Sequence, residues 1–133
     1  MSKSRHIFRN PNPSKSTKSG DCVIRAISIA LDMDWDEVYK DLCTLGFQLK
    51  RMPNDAENYR TYLTNCSYRR TGISNRKGSK RPTVESFAKD HKQGTYILEV
   101  ANHIVTVRDG HFYDTWDCSE KCLYGYWTIS ATT

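Results

Sequence analysis

Between Cys22 and Leu31 the chain carries only two polar residues, Arg25 and Ser28. A helix of that composition is apolar nearly all round, and such a helix belongs inside a core. Gly20 and Asp21 precede it; glycine permits a sharp entry, and aspartate is a favoured N-cap residue. The expected helix runs from about 21 to 31, with Cys22 at its first helical position. There the unpaired backbone N–H groups and the helix dipole favour an anion, so a thiol ionises more readily and becomes nucleophilic. The bland alternative is a small buried hydrophobe, the usual state of a free cysteine. Any fold this chain adopts has to wrap this helix.

The 133 residues suffice for one domain, spanning 1–133, that buries about two-thirds of its unfolded surface. No apolar run approaches the roughly 20 residues of a membrane span. The basic N-terminus lacks the apolar segment of a secretory signal. Five cysteines (Cys22, Cys43, Cys66, Cys118, Cys122) are odd in number and too sparse for a disulfide scaffold. They point to free thiols in a reducing, cytoplasmic setting. The net charge of +5 is unevenly placed. Lys3, Arg5, Arg9, Lys15 and Lys18 occupy 1–19 without an acid, and a second basic block fills the segment 67–81. That block lacks the interleaved aromatics that stack bases, which argues against nucleic acid as the partner.

Residues 1–19, with Pro11 and Pro13, read as an extended lead-in. After the apolar helix, Asp34 caps a second one with Glu37 at the capping-box position and Gly46 as its stop. Its apolar residues Trp35, Val38, Leu42 and Leu45 share one face. A third helix spans Asp55 to Cys66, and residues 67–81 read as a basic loop. Thr83 caps a short helix running from Val84 to about His91.

From Thr95 the period changes. Thr95–Val100, His103–Arg108, His111–Trp116 and Tyr124–Ile129 are β-rich, and Asp109-Gly110 is a strong hairpin signal. Helices followed by an antiparallel sheet define an α+β class. With Asp109-Gly110 as the turn, Arg108 faces His111 and Val107 faces Phe112. Continuing that register brings His103, Asp114 and Trp116 to one side of the hairpin. A carboxylate beside an imidazole fixes its tautomer and stabilises the imidazolium, and an adjacent indole shields the pair. A bulge at the turn would shift the register and bring Asp117 forward instead.

In this order — Cys opening a buried helix, His on a strand, Asp on the next — the chain resembles the papain-like cysteine peptidases. Asp114-Thr115-Trp116 is similar to that family's Asn-Ser-Trp. Gly20-Asp21-Cys22-Val23-Ile24-Arg25-Ala26-Ile27-Ser28 with Trp35-Asp36-Glu37-Val38 resembles small papain-fold proteins of bacteria and phages. The resemblance covers roughly residues 10–118. It implies helices packed on a C-terminal sheet and a cysteine peptidase-like thiol hydrolase that cleaves an amide or isopeptide bond in a protein or peptide, without cofactor or metal. Cys22 would be the nucleophile, His103 its base and acid, and Asp114 the orienting group. The Cys22 backbone N–H would form half the oxyanion hole. The family's second donor, a Gln, is replaced here by Ser16; Asn12 is the first substitute, with Asn10 and Ser19 as others. Gln deamidation or acyl transfer by the same triad, or a non-catalytic papain-fold module binding through the basic loop, are the alternatives.

Other candidates carry less. Cys118 and Cys122 with His111 have zinc-like spacing but no second ligand pair. His6 and His91 read as surface residues. Arg25 lies four after Asp21, as an intrahelical pair. Tyr124, Tyr126 and Trp127 read as core or sheet-face aromatics.

Overall fold

Cys22–Leu31 forms a helix, α1, in which every residue from Val23 to Ala30 is buried. The computed structural model describes residues 5–74 and 80–129. Around α1 it places β1 (His6–Phe8), α2 (Trp35–Leu49), α3 (Ala56–Asn65), β2 (Tyr68–Gly72) and α4 (Val84–Asp90). Then follow β3 (Thr95–Val100), β4 (His103–Arg108), β5 (His111–Asp114) and β6 (Leu123–Ile129). The class is α+β, with four helices and six strands among the described residues.

The strands form one sheet in the order β1-β5-β4-β3-β6-β2. Side chains alternate across it, as the period of two requires. Ile97, Ile104 and Trp127 meet α1, α2 and α3 through Ile24, Ile27, Leu42 and Leu63. Their sequence neighbours Leu98, Val105 and Tyr126 join Val107, Phe112 and Leu123 against Val84 and Phe87 of α4. Helices therefore cover both faces. Ile27, fully buried, contributes about 1.5–3 kcal/mol by leaving water.

The hairpin register is the one expected: Arg108 pairs with His111, Val107 with Phe112 and Thr106 with Tyr113. Asp109 and Gly110 both have positive φ, the geometry of a tight turn that matches strand twist. β5 ends at Asp114 rather than at Trp116.

Several elements differ from expectation. The extended lead-in contains β1, which pairs in parallel with β5, so the sheet is mixed rather than antiparallel. The basic loop begins as strand β2, paired antiparallel with β6; the expected loop's residues 75–79 lie outside the described residues. Gly46 does not stop α2. The helix runs on to Leu49, Lys50 takes the left-handed cap conformation, and Arg51 N–H donates to the Gly46 carbonyl at 2.8 Å. The returning chain passes so close that a Cβ at Gly46 would lie 2.5 Å from the Arg51 carbonyl oxygen. Asp21 and Asp34 occupy N-cap positions but make no side-chain cap bond, whereas Thr83 and Ser86 form a full capping box.

Candidate active site

α1 lies along β4 and runs the same way. Thr106 Oγ1 donates to the Ala26 carbonyl at 2.6 Å, and Arg108 Nη2 donates to those of Ile29 and Ala30 at 2.7 and 3.1 Å. From Ala26 back to Cys22 is about 6 Å of helix, and about 7 Å of strand leads from Thr106 back to Ile104. The start of α1 and the start of β4 thus come level, which brings Cys22 and His103 to one place.

There His103 Nε2 meets Asp114 Oδ2 at 2.5 Å, and the Trp116 ring packs on the imidazole with centroids 4.8 Å apart. The structure thus brings together the three hairpin residues that the register groups. Asp117 is not among them: it is exposed, and its carboxylate accepts from Ser119 N–H at 3.0 Å. Those Ser119 hydrogen bonds hold its pKa down. Trp116 is 42% exposed, so it roofs one side of the imidazole without sealing it.

Burial of His103 favours the neutral ring, but the bond to Asp114 outweighs it, with smaller support from the Cys118 and Cys22 thiols. The pKa rises to about 11. The direction of the shift favours the charged imidazolium against Asp114. Since Nε2 is committed to Asp114, Nδ1 remains for exchange with a thiol.

Two thiols face this imidazole, and they differ in environment. Cys22 is half-buried at the helix start. Cys118 is 1% exposed, and its Sγ donates to Asp114 Oδ2 at 3.5 Å. Burial pushes its pKa up. A thiol that is buried and kept protonated is a poor nucleophile, so of the two Cys22 is the more accessible candidate.

Asp114 has a further partner that the hairpin argument missed. Arg25 Nη2 donates to Asp114 Oδ1 at 3.2 Å, while Arg25 Nη1 holds Asp21 Oδ1. The intrahelical Asp21–Arg25 pair exists, and it is one arm of a buried bridge. Asp21 also accepts from Trp35 Nε1 at 2.8 Å and from Asn12 Nδ2 at 3.0 Å. Burial alone would raise the Asp21 pKa, but the hydrogen bonds from Trp35, Asn12 and Arg25 lower it. A sequence signal existed: a lone arginine in an otherwise apolar helix must find carboxylates in the core.

The expected second oxyanion donor is otherwise engaged. Asn12 is buried, and its amide nitrogen donates to Asp21 Oδ2 and, at 3.3 Å, to Ser19 Oγ. Both amide protons are spent. Asn10 Nδ2 donates to the Ser16 carbonyl. The Ser19 hydroxyl, exposed and one residue before Gly20, accepts from Asn12 and keeps its own proton to donate.

The residues with zinc-like spacing differ in exposure. Cys118 is buried, while Cys122 and His111 are exposed. Cys118 instead groups with His103 and Asp114, their ligand atoms all within 4.8 Å of one another. Zinc bonds of about 2.0–2.3 Å set tetrahedral donors about 3.3 Å or more apart. The 2.5 Å approach of His103 Nε2 to Asp114 Oδ2 is a hydrogen bond, which engages that nitrogen and that oxygen with each other.

Neither His6 nor His91 is a bare surface residue. His6 stacks on Phe112 with centroids 5.2 Å apart, and its Nε2–H donates to the Asp114 carbonyl at 2.9 Å. β1 thereby steadies the end of β5. His91 stacks on Phe87 at 3.7 Å and its Nδ1–H donates to the Phe87 carbonyl.

A third buried carboxylate, Glu99 on β3, was not singled out by sequence. Tyr59, Arg60, Arg70 and Trp127 all donate to it, at 2.7–3.1 Å. Burial opposes its ionisation, but the Arg60, Arg70 and Trp127 bonds prevail and its pKa is lowered. Trp127 is core, as expected; Tyr126 packs on Phe87, and Tyr124 is exposed beneath Arg81. This cluster ties α3, β2, β3 and β6 together.

No protein-family model, no curated protein and no solved structure matches this chain. Among the described residues, no helix is long and apolar enough to cross a membrane.

Proposed function

We propose that the protein is a cytoplasmic papain-like thiol hydrolase that cleaves an amide or isopeptide bond in a protein or peptide. The observation that carries this reading is the His103 imidazolium, held by Asp114 on one side and facing the half-buried Cys22 thiol on the other. In this role the Cys22 thiolate attacks the carbonyl carbon, and His103 delivers its proton to the leaving amine. Water, deprotonated by the same imidazole, then releases the acyl group. Asp114 keeps His103 charged and oriented, and Trp116 limits water on one side. The Cys22 backbone N–H, at a helix start, would be the first oxyanion donor, and the Ser19 hydroxyl, which keeps its proton, the second.

The experiment is iodoacetamide alkylation of each cysteine against pH, read by mass spectrometry on wild type and His103→Ala. Cys22 should react fastest at about pH 5–6, where an ordinary thiol is almost wholly protonated. The His103→Ala change should abolish that advantage. If Cys22 is no faster than the exposed Cys122 the hydrolase reading fails.

The engagement of Asn12 by Asp21 and Ser19 gives the binding-module reading its footing, since a weak oxyanion hole costs about two to three orders of magnitude in rate. Binding of an acidic partner that survives Cys22→Ala would favour that reading. Deamidation and acyl transfer share every step up to the thioester, so product mass separates them from hydrolysis.

A further inference from the structure

A cavity of about 650 Å³ opens at the N-terminal end of α1, lined by Ser19, Gly20, Asp21 and Ile24 but not by Cys22 itself. Gly20 and Asp21, the two residues before the thiol, form one wall, and Trp35, Asp36, Tyr39 and Met52 form another. Three features define what it can hold. First, it is deep in apolar and aromatic surface: Trp35 and Tyr39, one helical turn apart, have ring centroids 5.1 Å apart, and Met52 is 69% exposed beside them. The indole cannot swing away, because its N–H is held by Asp21 at 2.8 Å. Second, among the described residues the charged ones that line it, Asp21 and Asp36, are both acids. Asp21 is neutralised by Arg25, but Asp36 is exposed and makes no ion pair with any described residue. Third, this acidic lining sits on a chain of net charge +5, so it runs against the protein's general field.

Aromatic faces next to an unpaired carboxylate suit a cation on an apolar stem. The stem packs on the rings, the charge reaches the carboxylate, and a guanidinium can do both at once. We infer that this cavity is the recognition pocket for a cationic side chain, arginine before lysine, of a peptide or protein substrate lying next to the bond presented to Cys22. The inference rests on the thiol-hydrolase reading for the position of the bond, and on the cavity alone for the chemistry of the side chain.

The test uses Nα-blocked arginyl, lysyl, leucyl and glutamyl chloromethyl ketones, in which the Cys22 sulfur displaces chloride. Each rate at Cys22 is read by mass spectrometry and divided by the probe's rate with glutathione. The arginyl probe should outrun the leucyl probe by about tenfold, with the lysyl probe between them and the glutamyl probe slowest. Asp36→Asn should remove most of that preference and leave the iodoacetamide rate at Cys22 unchanged. An arginyl-to-leucyl ratio within about twofold in wild type, or one that Asp36→Asn does not move, overturns the inference while brisk iodoacetamide labelling leaves the hydrolase reading standing. If instead iodoacetamide labelling of Cys22 is slow, the hydrolase reading falls. The pocket is then judged by titrating Nα-acetyl-arginine methylamide and following the Met52 methyl and Tyr39 ring resonances. Saturable shifts weakened by Asp36→Asn support the pocket, and their absence at about 10 mM overturns it.

Discussion

Arg25 and Asp114, eighty-nine residues apart in the chain, meet in the core with Nη2 and Oδ1 3.2 Å apart. Through this contact the helix that starts at Cys22 is joined to the strand whose end orients His103. Arg25 is buried and holds Asp21 with its other nitrogen, so one guanidinium balances two buried carboxylates. His103 adds the second positive charge on Asp114. Fold and candidate site therefore share one buried ionic chain, from Asp21 through Arg25 and Asp114 to His103.

Removing the guanidinium leaves Asp21 and Asp114 buried without their common partner. Arg25→Met should destabilise the protein by about 3–5 kcal/mol, measured by urea unfolding. Adding Asp21→Asn to that variant should recover part of the loss, because one uncompensated charge is then gone. Full stability in Arg25→Met alone would mean that the bridge contributes nothing.

The third member of the site is decided by comparing two aspartates. Asp114→Asn should slow alkylation of Cys22 at about pH 6 by tenfold or more, since an amide no longer stabilises the imidazolium. Asp117→Asn should change it by less than about twofold, because Asp117 only caps Ser119 at the surface. The reverse ranking would return the register to its shifted alternative.

The His103 pKa is raised in the folded protein, so its charge contributes stability below the ordinary histidine pKa. That contribution is lost as pH rises towards about 11. The stability difference between wild type and His103→Gln should therefore be largest below about pH 6.5 and should shrink steadily between about pH 6.5 and 11. The imidazole proton resonances of His103 should likewise show no titration between about pH 6 and 8.

Glu99 behaves with the opposite sign. Its pKa is lowered, so its contribution is present above the ordinary glutamate value and fades as pH falls below it. Glu99→Ala should cost about 2–4 kcal/mol by stranding the buried Tyr59 and Trp127 donors and unpairing two arginines, with Cys22 labelling at neutral pH unaltered. Gly125 stands in the same cluster for a steric reason: a Cβ there would lie 2.6 Å from the Arg70 guanidinium. Gly125→Ala should displace Arg70 and cost about 1–3 kcal/mol, read as a lower melting temperature.

Local signals made part of this molecule readable in advance. The apolar run from Cys22 to Leu31 can only be a core helix, and it is one. Asp109-Gly110 selects a tight turn, which sets the pairing of β4 with β5 and so places Asp114 and Trp116 beside His103. Those inferences succeed because a helix period and a two-residue turn are short-range constraints, satisfied within a few residues.

Tertiary contact decided the rest. Residues 1–19 carry no strand signal, yet His6–Phe8 pairs with β5, because β5 has an open edge and His6 can stack on Phe112. Tyr68–Gly72 reads as basic loop, but β6 offers an edge and Glu99 offers Arg70 a buried partner. Gly46 stays helical because the chain reverses over it. Asp21, written as a cap, gives its carboxylate to Arg25, Trp35 and Asn12, since a buried arginine and indole need that acceptor more than the helix end does. The cavity at the N-terminal end of α1 draws its walls from residues 12–14, 19–21 and 52–54 together with Ile24, Trp35, Asp36 and Tyr39. A local reading of sequence sees turns and periods; which distant side chains neutralise one another, and what space they leave, is settled only when the layers pack.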